Sequence, residues 1–220
     1  MTQRPGVRSE TVTERVGPPR LAIGVMGTSG GTLSDEVRQR AYQLGRAIVE
    51  QGAVLMTGAC PGLPYEAVRG AKAAGGLVVG ISPGLSIDEH RNKYGSPVDG
   101  FDVLIYTGSG LMGREITSIR SCDIVVIVGG RSGTLGELAI AYDDGRLIGV
   151  LSGTGGITSL IPEIVQVADK ETGAHVIYDS DPAKLVAQLL EFYRTEHFRK
   201  PSCFCEERTR PDEAVKRGAS

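Results

Sequence analysis

A glutamate, an arginine and a glycine-rich turn carry the chemistry this sequence offers. The run Asp123-Ile-Val-Val-Ile-Val-Gly129-Gly130-Arg131-Ser132-Gly133-Thr134-Leu135-Gly136-Glu137 is an apolar stretch of strand length, then a glycine turn, then a helix start. That order sets backbone N–H groups and a helix N-terminus at the carboxyl end of a buried strand. Orphan amides and the helix dipole both favour negative charge there. Gly130, Ser132, Gly133 and Thr134 are therefore candidate phosphate contacts, and Arg131 is a candidate clamp, because guanidinium binds phosphate bidentately. Glu137 places a carboxylate in the first turn of the same helix. Arg114 opens the preceding helical segment, where a cation opposes the helix dipole. A residue set against local preference points to a ligand. Thr134 and Glu137 also have an ordinary reading, a capping box in which each satisfies the other's backbone.

The elements that must position these groups alternate regularly. Continuous apolar runs at 21–26, 53–57, 77–81, 103–106, 124–128, 147–151 and 175–178 read as strands. Helical patterns follow Ser34, Pro64, Gly113, Thr134, Leu160 and Asp181. Strands that are apolar throughout are buried on both faces, as in a parallel sheet wrapped by helices. The expected fold is α/β, a single doubly wound domain with a mainly parallel sheet of about seven strands. Its ligands bind outside the carboxyl ends of the strands. The glycine turns at 27–31, 58–62, 107–113, 129–134 and 152–156 all follow strands and should gather on that edge. Gly27, Thr28, Ser29 and Gly58 thereby join the candidate ligand contacts. The first turn lacks dinucleotide spacing, and Thr57-Gly58 stands where a ribose-binding acid would be, which disfavours NAD and leaves a mononucleotide open. Residues 83–100 are polar and irregular, long enough for a lid or binding loop.

The chain has 220 residues and a formal net charge of -2, with no gathered basic stripe, so nucleic acid is not expected as a partner. No apolar run approaches the roughly 20 residues that span a bilayer, which sets membrane insertion aside. Residues 1–20 read as a flexible leader without the apolar core of a secretory signal. Residues 21–195 form the domain, and residues 196–220 a charged tail. The default location is the cytoplasm. Four cysteines at this size do not suggest a disulfide framework. Cys203-Phe-Cys205 has no second pair at zinc spacing, and His90, His175 and His197 are scattered, so no metal is expected.

These motifs resemble those of the Lonely-guy (LOG) family and its Rossmann-fold relatives, among them molybdenum-cofactor carrier proteins and proteins once labelled lysine decarboxylases. The family signature is Pro-Gly-Gly-x-Gly-Thr-x-x-Glu, with an arginine some fifteen residues before it. Here it aligns with Gly129 to Glu137, and Arg114 and Asp123 fall at the family spacing. The similarity continues through Thr57 to Leu63 and Leu77 to Pro83, and covers roughly residues 21–192. Gly129 replaces the signature proline, Arg131 its second glycine, and Glu115 the lysine that usually follows the arginine. The resemblance implies a Rossmann-like fold and a phosphorylated nucleotide-type ligand, with no required cofactor. For the enzymes it implies hydrolysis of the N-glycosidic bond of a nucleoside 5′-monophosphate. Glu137 would then stabilise oxocarbenium-like charge or activate water, and Arg114 would hold phosphate or ribose. For the carriers it implies binding of a nucleotide or molybdenum-cofactor-like ligand without chemistry, and the substitutions at 129 and 131 favour that branch. It also implies a homodimer or larger homo-oligomer, and the apolar helices 113–121 and 134–142 are the expected interface.

Overall fold

A computed structural model describes residues 19–197. The leader (1–20) and tail (196–220) of the sequence reading, Cys203 and Cys205 included, lie outside those residues but for positions 19, 20, 196 and 197. The strands are β1 (Ala22–Gly27), β2 (Val54–Thr57), β3 (Val78–Ser82), β4 (Val103–Tyr106), β5 (Ile124–Val128), β6 (Leu147–Leu151) and β7 (His175–Asp179). The helices are α1 (Asp35–Glu50), α2 (Leu63–Ala73), α3 (Gly110–Arg120), α4 (Ser132–Asp143), α5 (Ile161–Ala168) and α6 (Pro182–Thr195). All seven strands pair in parallel in the order β4-β3-β2-β1-β5-β6-β7. The chain builds outward from β1 to β4, then returns to the other side of β1 as β5. The crevice between β1 and β5 is therefore the topological switch point, where such sheets bind ligands.

The period-2 geometry of strands divides the apolar runs between two layers. Ile124, Val126 and Val128 pack with α1, α2 and α6 on one face, while Val125 and Ile127 pack with Ile119, Leu138 and Ala141 of α3 and α4 on the other. Burial of both faces is what makes the central strands apolar without alternation. Helices α1 and α2 approach until their backbones touch: a methyl group at Gly45 would overlap the Ala67 carbonyl, and one at Gly70 the Tyr42 carbonyl. Ser34 caps α1, its Oγ accepting the Val37 N–H at 3.3 Å.

Three polar arrangements hold the frame behind the crevice. Arg40 of α1 donates to the carbonyls of Ser152, Gly153 and Ser180, fastening the exit turns of β6 and β7 to the helix. At the opposite edge of the sheet Asp123 accepts the Ala22 N–H at 2.8 Å and the Tyr193 O–H at 3.3 Å. Its place in the family spacing is thus structural, far from the strand mouths. Arg120 pairs with Asp144 on the surface at 2.9 Å.

The segment 83–100, expected as a lid or binding loop, has internal structure of its own. It carries a short π-helical turn, Glu89–Lys93, and is pinned by fully buried His90. His90 Nε2 lies 2.9 Å from the Pro97 carbonyl, which can only accept, so that nitrogen carries the proton. Nδ1 then accepts the Ser82 hydroxyl at 2.8 Å. A buried, doubly bonded imidazole ties this segment to the end of β3 instead of leaving it free to close over a ligand. Among the described residues, no helix is long and apolar enough to cross a membrane.

Candidate functional site

A cleft of about 340 Å³ opens at the carboxyl ends of β1 and β5. The exit turn of β1 supplies Gly27, Thr28 and Ser29, and α4 supplies Ser132, Gly133, Thr134 and Glu137, with Arg131 beside them. Arg114 comes from α3. The structure therefore gathers these nine candidate residues into one pocket. The remaining two, Gly58 and Gly130, stand behind it, and each has a different task from the one expected.

Gly130 does not offer its amide to a ligand. Its N–H donates to Thr28 Oγ1 at 2.6 Å, and the Gly129 N–H donates to Thr154 Oγ1 at 2.9 Å. Thr154 in turn donates to the Leu151 carbonyl. These bonds lock the exit turns of β1, β5 and β6 together. Gly129 and Gly130 have φ of 64° and 104°. Proline is confined near -65°, so the signature proline could not occupy position 129 in this turn. Gly58 makes room: a methyl group there would overlap Arg114 Nη1. The guanidinium reaches the exit turn of β2 through Nη1.

Two helix starts lie earlier than the sequence suggested. Helix α4 begins at Ser132 with Arg131 at its N-cap, and no side chain caps it. The Thr134–Glu137 capping box is absent, because both residues are already inside the helix. The amides of Ser132, Gly133 and Thr134 fall in the first turn, where no helical carbonyl is available to them. Helix α3 begins at Gly110, so Arg114 sits a full turn inside it rather than at its opening. It is buried because α3 packs on α4 and the sheet, not because of its position in the helix.

Burial without partners defines the electrostatics. Arg114 is 6% exposed, and its Nε and Nη1 have no hydrogen-bond partner. Glu115 and Glu137 are each 7% exposed. Burial pushes the Glu137 carboxyl up to about 7, with Arg114 pulling it down and Glu115 pushing it up. Burial also raises Glu115, opposed by Arg114. Arg131 is exposed at the rim, with Nη2 3.7 Å from where a side chain on Gly30 would begin, so it reaches across the mouth toward the β1 loop.

Three lining residues escaped the sequence reading: Cys60, Leu111 and Glu115. Cys60 follows Ala59, whose φ of 51° is one of two left-handed values among the non-glycine residues described. That bend turns the chain after β2 toward the pocket. Burial lifts the Cys60 thiol to about 11, with Arg114 opposing and Glu137 adding to the rise, which favours the protonated thiol at neutral pH. Glu115 carried one signal, an acid where the family has a base beside its arginine. Among the described residues no three His, Cys, Asp or Glu side chains cluster as a metal site.

Fold and pocket together define a LOG-like Rossmann-fold protein with its cleft at the switch point. The chain belongs to the SLOG cluster4 family, whose model matches residues 20–186. It is 35% identical over 131 residues to an uncharacterized protein of Archaeoglobus fulgidus, covering 60% of this chain and 80% of the relative. Among solved structures it is similar to the Moco carrier protein of Chlamydomonas reinhardtii, with a TM-score of 0.62 and 30% identity over 79% of this chain and 99% of that one. It is also similar to the molybdenum cofactor binding protein of Rippkaea orientalis, with a TM-score of 0.65 and 28% identity over 81% and 100% of the two chains.

Proposed function

We propose that this protein binds a phosphorylated, nucleotide-type small molecule in the β1–β5 cleft as a carrier or sensor. The observation that carries the reading is Arg114, buried with two nitrogens unpartnered in a cleft that also holds the first-turn amides of α4. A buried cation left unpaired is costly, and an anionic ligand removes that cost. The phosphate would rest on the N–H groups of Ser132, Gly133 and Thr134, with Arg114 beneath and Arg131 closing over the rim. Thr28 and Ser29 would contact the same group from the β1 turn. The similarity to two molybdenum-cofactor proteins supports a ligand of this class. Calorimetry of the full chain with AMP, GMP and ribose 5-phosphate tests the reading. Saturable binding that weakens at least tenfold in Arg114→Ala supports it, and no binding of any of the three refutes it.

Hydrolysis is the second reading, and a specific observation favours it. A carboxyl brought to about 7 can exchange a proton near neutral pH. In the N-glycosidic reaction, water oxygen bonds to C1′ as the C1′–N bond breaks. Glu137 would take the water proton and deliver it to the departing nitrogen, so that the base leaves neutral and the carboxylate is regenerated. Free base released from a monophosphate above a Glu137→Ala control selects this reading, and tight binding without release selects the carrier.

Assembly belongs to the same proposal. Leu111, Met112 and Ile116 of α3, Leu135 of α4, and Val103, Ile105 and Tyr106 of β4 are large apolar side chains left exposed. Such side chains gathered on neighbouring elements favour a homodimer through α3 and α4. A dimer would hold Arg114 and Glu137 on helices buried from both sides.

A further inference from the structure

Glu115, like Glu137, is a charged group of the pocket to which a phosphate offers nothing. Its carboxylate lies against the first two turns of α4, in a notch made by two glycines. A methyl group at Gly133 would come within 3.4 Å of Oε1, and one at Gly136 within 3.1 Å of Oε2. Glu137 lies one helical turn beyond Gly133 on that face. The pocket thus presents two carboxylates from facing helices, both more than nine-tenths buried, beside the unpartnered Arg114.

Charge sorts the two halves. An anion at the α4 amides satisfies Arg114 and Arg131 but repels both carboxylates. An ionised carboxylate is acceptor-only, so it can be met only by donors. Among the described residues no hydrogen bond or ion pair reaches either carboxylate. Once a ligand displaces water from the cleft, donors for them are to be sought at its end away from the phosphate.

We propose that Glu115 is a specificity-determining residue that accepts two adjacent N–H groups, a ring lactam N–H beside an exocyclic amine, from the base-like end of the phosphorylated ligand. Glu137 lies beside that edge, one turn beyond Gly133 on the same face of α4. A carboxylate matches such a pair with two parallel hydrogen bonds, as an Arg–carboxylate fork does. A base without the exocyclic amine leaves one carboxylate oxygen buried and unsatisfied, and it is rejected for that reason. The proposal rests on the phosphate reading above.

The test compares GMP with IMP, which differ only in the exocyclic amine, by calorimetry on the full-length protein, with ribose 5-phosphate as a probe of the phosphate subsite. GMP is expected to bind at least tenfold more tightly than IMP. In Glu115→Gln, whose amide replaces one acceptor by a donor, that ratio is expected to fall to near one, while a thermal melt verifies folding. Glu115→Asp, shorter but still an acceptor, should retain part of the ratio. Equal binding of GMP and IMP by the wild type overturns the proposal and leaves the phosphate reading standing. Unchanged preference in Glu115→Gln, even with both ligands weakened, assigns Glu115 a merely structural role and overturns it too. Failure of all three probes to bind removes both readings together.

Discussion

Replacing Glu137 by glutamine is expected to stabilise the protein at pH 8 relative to its effect at pH 5. The carboxyl rises from an ordinary 4.5 to about 7 in the fold, chiefly because burial disfavours its charge. Below pH 4.5 it is protonated in both folded and unfolded chains, and no cost arises. Between 4.5 and 7 the folded chain keeps a proton that the unfolded chain has released, so stability falls as pH rises. Above 7 the full difference applies: about 2.5 pH units at 1.36 kcal/mol each, or about 3 kcal/mol. Glutamine has nearly the same shape and no charge to bury. Groups facing Glu137 are Arg114 and Glu115 from α3, Cys60 after β2 and Arg131 at the rim. Arg114 favours the ionised form, Glu115 opposes it, and the protonated thiol adds no charge. Glu115 adds a smaller upward push to Glu137, so the curve should be somewhat broader than that of an isolated site. Thermal melts of both proteins at pH 5, 6, 7 and 8, in buffer free of phosphate, measure the difference. Part of the cost is already present at pH 5, so about 2.5 kcal/mol develops between pH 5 and 8; at about 2–4 °C per kcal/mol the variant's advantage should grow by on the order of 5–10 °C. A difference flat across that range, or one that shrinks as pH rises, would refute the reasoning, because it would mean the carboxylate is already well solvated or paired.

Gly58→Ala should displace the Arg114 guanidinium and weaken binding of a nucleoside monophosphate at least tenfold by calorimetry; unchanged affinity would show that Arg114 need not lie over that turn. Arg40→Ala removes donors to three carbonyls and should lower stability by roughly 1–3 kcal/mol in urea unfolding, given what hydrogen bonds to charged groups contribute. Gly129→Pro cannot adopt the observed positive φ and should destabilise the β5 exit turn enough to lower the melting temperature, which a melt of the variant reads directly. Light scattering at micromolar concentration should give twice the 23.2 kDa chain mass, and a monomeric mass would contradict the assembly through α3 and α4.

Much of the architecture is legible in the sequence. Seven apolar runs separated by helical patterns required a buried parallel sheet, and all seven strands appear as parallel neighbours. A run such as Ile124–Val128 has nowhere to be except between two helical layers, because every side chain on both faces must leave water. The gathering of Gly27–Ser29 and Gly129–Thr134 at one edge follows from that topology alone, since parallel strands place all their exits on one side. Local sequence also located Ser34 and Asp181 as caps, where a side-chain oxygen reaches backbone N–H groups a few residues away.

Tertiary structure decided the site's chemistry. Arg114 and Glu137 were candidates by type and position, but the spare hydrogen-bonding capacity of Arg114 depends on what packs around it. The Gly130 amide looked free in sequence and is consumed by Thr28, 102 residues away in the chain. His90 looked like a scattered histidine in a lid or binding loop and is the pin that fixes that segment. Cys60 and Glu115 entered the pocket only when the exit turn of β2 and helix α3 were set against α4. Periodicity and capping report a residue's relation to its near neighbours along the chain, so they establish elements and faces. Burial, pairing and pKa depend on groups brought together across the fold, and no local pattern encodes them.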